Sequence, residues 1–322
     1  MPKNTLIALG AGVLAALAAT AFLSRAPGAL MLVYFADLPL FVAGFAFGPQ
    51  AAAIGGAAGF IAAGLIGGGI AAGVFGIMQA LPVWLVVRQL LLQRPPAVAG
   101  SARASDEPGG QIEWYPIGDM LCWLTFFAAA MLVVMTLTSL TWGQGLSVLV
   151  STNLDEILKG LAPHWDEENR ASVVAVIVPM LPGAIGVSWL VMTIVNATLA
   201  HSILTRLKKI LRPSPAYAAL DLPQWISWPL VLSALLALLG SGEMEYTGRN
   251  LAMILVVPFF FLGLAVVHTW VRRVAYSGMA LVAFYLVLVL SGWATIVVAG
   301  IGMAELWIGL RHRMDGPAGV ND

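Results

Sequence analysis

Charge is what this sequence has least of. Only 10% of its 322 residues are Asp, Glu, Lys or Arg, against 60% hydrophobic, whereas a water-soluble domain carries about 25% charged residues. A chain so poor in charge cannot cover a soluble surface of its own size. Acidic and basic residues balance at 16 each, which leaves no basic excess to attract nucleic acid. The one cysteine, Cys122, lies inside an apolar run, so a disulfide framework and a zinc cluster are both excluded. There is no Walker A motif, no H-E-x-x-H and no G-x-S-x-G. His164, His201, His268 and His312 are scattered without metal-ligand spacing. No cofactor is therefore expected, and no catalytic constellation marks the chain as an enzyme. Gly10-Ala11-Gly12-Val13-Leu14-Ala15 fits the loose dinucleotide pattern. Both its flanks belong to one apolar run, with no room for the strand that pattern needs, so the match is read as coincidence.

What the chain has in abundance is long apolar runs. They exceed the length of alternating barrel strands and read as membrane-crossing helices. The expected class is all-α: a polytopic transmembrane bundle of about ten helices with both termini cytoplasmic. The first segment is Thr5–Leu23, read as a retained helix rather than a signal peptide. The second, Gly28–Phe47, is broken at Asp37-Leu38-Pro39, and Gly67-Gly68-Gly69 divides the third, Gln50–Ile66, from the fourth, Ile70–Leu92. These make a Gly-rich N-terminal block, 1–92, followed by a cytoplasmic linker, 93–114. A C-terminal block, 115–310, opens with Tyr115–Thr141 and holds a polar excursion, 142–170, read as an amphipathic helix on the outer surface. Asn153 and Glu156 have capping-box spacing there. Further segments are Ala171–Thr205, Trp225–Leu239 and Leu251–Val271, with a basic elbow at Arg206–Gln224. Ala275–Leu310 as one helix would run roughly 50 Å, far beyond the hydrocarbon core, so it is split near Ser291-Gly292. A tail, 311–322, closes the chain.

Charge orients this arrangement. With the N-terminus inside, the inner face receives Lys3, Arg88, Arg94, Arg103, Arg206, Lys208, Lys209, Arg212, Arg272, Arg273, Arg311 and Arg313. The outer face receives only Arg25, Lys159, Arg170 and Arg249, and its connections are acidic: Asp155, Glu156, Asp166, Glu167, Glu168, Glu243 and Glu245.

Few polar groups fall inside the apolar runs. Asp37 stands out, because a mid-membrane carboxylate costs about 2.5–3.5 kcal/mol on insertion scales and so faces protein or water. Pro39 beside it frees a backbone carbonyl, and a broken helix bearing an acid is a common way to build a midplane site. Gln79, Asn196 and His201 are the other candidate substrate contacts, each also readable as an interhelical hydrogen bond. Asp119 and Glu305 are further intramembrane acids placed nearer the segment ends. Gly55, Gly59, Gly64, Gly68, Gly69 and Gly73 form small-xxx-small pairs that let helices approach closely. Either a mobile helix pair or tight packing fits them, and packing is favoured.

Several stretches carry a family likeness. Pro179-Met180-Leu181-Pro182-Gly183, Asn196-Ala197-Thr198-Leu199-Ala200, Arg212-Pro213-Ser214-Pro215-Ala216-Tyr217 and the ending Glu305-Leu306-Trp307-Ile308-Gly309-Leu310-Arg311 resemble the YybS-like bacterial membrane proteins. The N-terminal half is distantly similar to the substrate-binding subunits of energy-coupling-factor transporters and to the rod-shape protein MreD. The resemblance implies a bacterial inner-membrane protein of a family without an established activity, while the broken, acid-bearing second helix beside the glycine-rich pair points to a small-molecule-binding transport component. The alternative is a non-catalytic scaffold. Expected partners are the lipid bilayer and either another membrane protein or a second copy of the chain.

Overall fold

The computed structural model describes residues 2–24, 26, 28–94, 113–214, 217, 220–274 and 276–314. Residues 95–112 of the expected linker, 315–322 of the tail, and Arg25 and Arg103 of the charge pattern lie outside these. The described chain is an all-α bundle; its β-structure is a two-residue antiparallel ladder, Gln93–Arg94 (β1) with Glu113–Trp114 (β2). Its surface is apolar: Leu65, Ile70, Val289 and Leu290 are each more than 80% exposed. Lipid, not water, is the solvent that suits such an exterior.

Two compact units partition the chain, Met1–Met120 with Val191–Pro215, and Leu121–Leu190 with Ala216–Asp322. They do not follow the expected boundary at the linker, because 191–215 joins the N-terminal block.

In the first unit, α1 (Lys3–Ala19) buries a stripe of small residues, Ala8, Ala11, Gly12, Ala15, Ala16 and Ala19, at helical spacing. The broken second segment is α2 (Ala29–Tyr34) and α3 (Leu38–Phe47), with the turn at 35–37. Then α4 (Pro49–Phe75) folds back on itself at Gly68, whose φ of 79° is open to glycine and strained for any other residue. Gly56 faces Ala80, Gly59 faces Phe75 and Gly64 faces Ala72, the pairing of an antiparallel hairpin centred on that glycine. Pro82, near the start of α5 (Leu81–Leu90), cannot donate to the Met78 carbonyl, and the helix widens into a π turn over Gly76–Ala80.

Of the six glycines expected to pack helices, Gly55, Gly59 and Gly64 do so. Gly68 is the hairpin turn, and Gly69 and Gly73 have nothing within 4 Å of where a Cβ would sit. The nucleotide-like Gly12 is the packing residue that motif reading hid: its Cβ would fall 1.9 Å from the Gly55 carbonyl oxygen. Glycine here lets two backbones touch.

The second unit begins within α6 (Ile117–Thr141). The expected surface helix is α7 (Leu146–Leu161), and it starts well before the predicted capping box. Asn153 lies mid-helix and donates to the Leu149 carbonyl. Glu243 holds the α7 N-terminus instead, accepting from the Ser147 amide and hydroxyl, where a carboxylate also complements the helix dipole. On α7, the Lys159 ammonium foremost, and Arg170 with it, hold the Asp155 carboxyl below its ordinary range. Asp166 caps α8 (Glu167–Ile177), accepting from the Asn169 amide at 2.8 Å.

A 3₁₀ turn at Val178–Met180 joins α8 to α9 (Leu181–Arg206), and α10 (Ser227–Leu239) follows the elbow. The expected acidic connection at Glu243–Asn250 is helical, because α11 (Glu243–Leu255) continues almost without interruption into α12 (Val257–Val271). The last segment breaks at Ser291 as expected, giving α13 (Ser277–Leu290) and α14 (Gly292–Ile308), bent by 117° and followed by α15 (Leu310–Met314). Here too glycines touch backbone: Cβ atoms on Gly263 and Gly302 would lie 1.9 Å from the carbonyl oxygens of Val298 and Phe259.

By length and composition, five helices among the described residues can cross a membrane, or six with the bent pair. Lys3–Ala19 and Gln224–Leu239 are apolar but shorter.

These contacts predict a paired outcome. Gly12→Ala and Gly302→Ala force backbones apart and lower stability by about 1–3 kcal/mol. Gly10→Ala and Gly300→Ala, in open space, do not. Thermal melts in one detergent distinguish the two pairs.

Candidate functional site

A helix broken inside a membrane leaves carbonyls without their i+4 donors, and something must satisfy them. Two asparagines, one in each unit, do this by the same device.

In the second unit, Pro182 cannot donate to the Val178 carbonyl four residues back. The Tyr246 hydroxyl donates to that oxygen instead, at 2.9 Å. One residue on, the Asn250 carboxamide inserts into the helix. Its Oδ1 accepts from the Gly183 amide at 2.7 Å, while its Nδ2 donates to the Pro179 carbonyl at 3.1 Å and to the Tyr246 carbonyl at 2.8 Å. A Cβ on Gly183 would sit 2.9 Å from Asn250 Oδ1, so the approach needs glycine there. Asn250 is completely buried, and its oxygen and nitrogen are both engaged.

In the first unit, the Leu38 amide bonds the Phe35 carbonyl rather than Tyr34's, one residue before Pro39 interrupts the ladder. Asn196 Nδ2 takes up the Tyr34 carbonyl at 2.6 Å and the Met192 carbonyl, on its own helix, at 2.8 Å. Asn196 is 1% exposed, yet among the described residues its Oδ1 has no hydrogen-bond partner. Asp37, at the same joint, is wholly buried, and among the described residues neither carboxyl oxygen completes a hydrogen bond. The polar side chain acting on it is Thr193, also fully buried, one helical turn before Asn196 on α9. One repair is complete; the other leaves three buried acceptor atoms open.

The sequence-predicted contacts thus separate. Asp37 and Asn196 meet at one joint. His201 lies further along α9, edge-on to Phe45 with ring centroids 6.4 Å apart and its Nδ1 3.5 Å from the Thr205 hydroxyl. Gln79 is nearly buried in the π turn, and among the described residues no hydrogen bond ties it to Asp37, Asn196 or His201. Thr193 was not singled out from the sequence, although its place one turn before Asn196 on an apolar helix was the signal available. Arg212, assigned to the inner basic elbow, is buried; its guanidinium donates to the Leu90 carbonyl at 3.0 Å and lies over the Trp114 ring.

The other buried acid contrasts with Asp37. Glu305 accepts from the Arg311 guanidinium at 2.6 Å and from the Arg311 backbone amide at 2.9 Å, closing the end of α14. Arg311 in turn donates to the Leu220 carbonyl at 2.8 Å. That acid is structural. Glu305→Gln therefore costs about 3–5 kcal/mol, as breaking a buried pair does, whereas Asp37→Asn leaves the melting temperature near wild type. Equal losses for both variants would assign Asp37 a structural role.

Comparison with known proteins adds one finding. No curated protein and no solved structure matches the chain. A family model described as "Predicted membrane protein (DUF2232)" matches residues 119–306, more than half of the chain. The match includes Asn196, Asn250 and Glu305 and begins beyond Asp37. Together with the apolar helices and exterior, it identifies an integral membrane protein, and the chain belongs to this family.

Proposed function

We infer that the chain is the small-molecule-binding component of a membrane transport system, multi-pass in a bacterial inner membrane with both ends cytoplasmic, and not itself an enzyme. One observation carries this reading: Asp37 is fully buried without a completed hydrogen bond, beside an equally open Asn196 oxygen, at a broken helix. Buried charges are paired or hold a ligand, and Asp166, Glu243 and Glu305, at other helix ends, each have a partner. The distant resemblance to energy-coupling-factor substrate-binding subunits supports the same reading at the level of fold.

A scaffold role has its own support. On α7, Ile157 and Leu161, one turn apart on the same face, are more than half exposed, an apolar patch suited to a bilayer surface or a docked protein.

Two measurements test these readings. Gentle extraction with a C-terminal tag, followed by native mass spectrometry, retains a small molecule that Asp37→Asn loses; retention of a protein partner without one supports the scaffold. For topology, a fluorescent reporter fused after the last residue folds on the cytoplasmic side. A periplasm-active reporter at the same place would mean that α13 and α14 make one crossing between them.

A further inference from the structure

The open joint in the first unit has an unusual donor inventory. Both N–H groups of Asn196 are spent on the Tyr34 and Met192 carbonyls. Turning the carboxamide over would set its oxygen against those two carbonyl oxygens, so the orientation is fixed and Oδ1 is the free atom. Asp37 adds two more oxygens with no completed bond. The buried Thr193 hydroxyl is the polar side chain at hand. What the joint presents inward is therefore oxygen: three acceptor atoms, one carboxyl group among them, and a hydroxyl that can accept as well as donate.

That inventory narrows the ligand. An anion would meet three acceptor oxygens against the single hydroxyl donor of Thr193. A divalent or transition metal draws on several carboxylates, imidazoles or thiolates, and among the described residues no group of three His, Cys, Asp or Glu side chains is placed to hold one. A single carboxyl group with neutral oxygens around it matches one positive charge. Asp37 and Asn196 are at most 1% exposed, which suits an ion stripped of its water. Broken membrane helices offer this combination of freed carbonyls and an acid to coupling ions.

Resting on the reading of this joint as a ligand site, we propose that Asp37, Asn196 Oδ1 and Thr193 bind a single dehydrated alkali cation, which couples to the transported solute. The test uses the purified full-length chain in nanodiscs and radioactive sodium, with choline replacing sodium at constant ionic strength. Wild type binds sodium saturably, one ion per chain. Asp37→Asn weakens binding about tenfold or more, a factor equivalent to about 1.4 kcal/mol. Asp119→Asn, an acid in the first turn of α6 that is not among the proposed ligands, leaves binding unchanged. Should Asp37→Asn not fold, Thr193→Val, isosteric and uncharged, takes its place and weakens binding several-fold. No saturable binding of sodium, potassium or lithium by wild type overturns the proposal, as does undiminished binding by folded Asp37→Asn. Binding of ethylammonium with none of the alkali ions overturns it too, in favour of an organic amine. If a small molecule is still retained and then lost in Asp37→Asn, the transport reading stands while the alkali site falls. Sodium binding with no retained solute has the reverse meaning.

Discussion

Everything in this fold answers to the backbone carbonyl. In hydrocarbon an unpaired carbonyl has no water to turn to, so each interruption of a helix must be closed from within the protein. The chain interrupts its helices at Pro39, Pro82, Pro182 and Ser291. At two of these joints a primary amide from another helix supplies the missing hydrogen bonds. Asparagine suits the task because its two N–H groups can serve two carbonyls at once. In both cases one donor goes to the residue four back on its own helix and the other to the broken partner. Asn250 also has its oxygen satisfied, by the Gly183 amide; Asn196 does not.

Bringing an asparagine on one helix to the backbone of another requires the helices to run close together, and glycine makes that approach. Lipid tails are as apolar as leucine, so helices in a membrane gain little by merely hiding apolar surface from the solvent. Association rests on dispersion contacts and polar bonds, both of which strengthen as backbones near each other. This explains why the close approaches of Gly12 to Gly55, Gly263 to Val298 and Gly302 to Phe259 place glycine against carbonyl oxygen. It also explains why α1, short as it is, carries a buried stripe of alanine and glycine rather than leucine.

How much of this could be read from the sequence depended on the range of the signal. Hydropathy is local and cumulative, so the helical class, the break at Asp37 and Pro39 and the split at Ser291 were all legible. Glycine spacing found Gly55, Gly59 and Gly64 but could not name their partners, because a close contact is a property of two helices. Gly69 and Gly73 have the same spacing and face open space. Asn250 was missed for a different reason: with Glu243, Glu245 and Arg249 just before it, the segment looked like a polar connection. In the fold it is the first turns of α11, with Glu243 serving α7 and Arg249 paired to Glu245. Asn153 failed as a cap because helix starts are decided by tertiary partners such as Glu243 as well as by local spacing. At the site, Asp37 and Asn196 were each legible as costly residues, while their meeting across 159 positions of sequence was not.

The contrast between the two repaired joints bears directly on function. If Asn196 were present only to mend α2, the same chain shows how a finished repair looks: the Asn250 joint engages both ends of the carboxamide. An additional buried carboxyl group at the Asn196 joint makes the repair more expensive rather than better, by about 2.5–3.5 kcal/mol on the insertion scale. Membrane helices hold such a group against that cost when it serves a ligand, an ion path or a paired charge, and among the described residues the charge that pairs with Glu305 has no counterpart at Asp37. Strength and openness are therefore divided between two similar joints. The Asn250 joint can be rigid because all its bonds are internal. The Asn196 joint has bonds left to give, and a positively charged ligand with no acceptors of its own would complete it as the Gly183 amide completes the other.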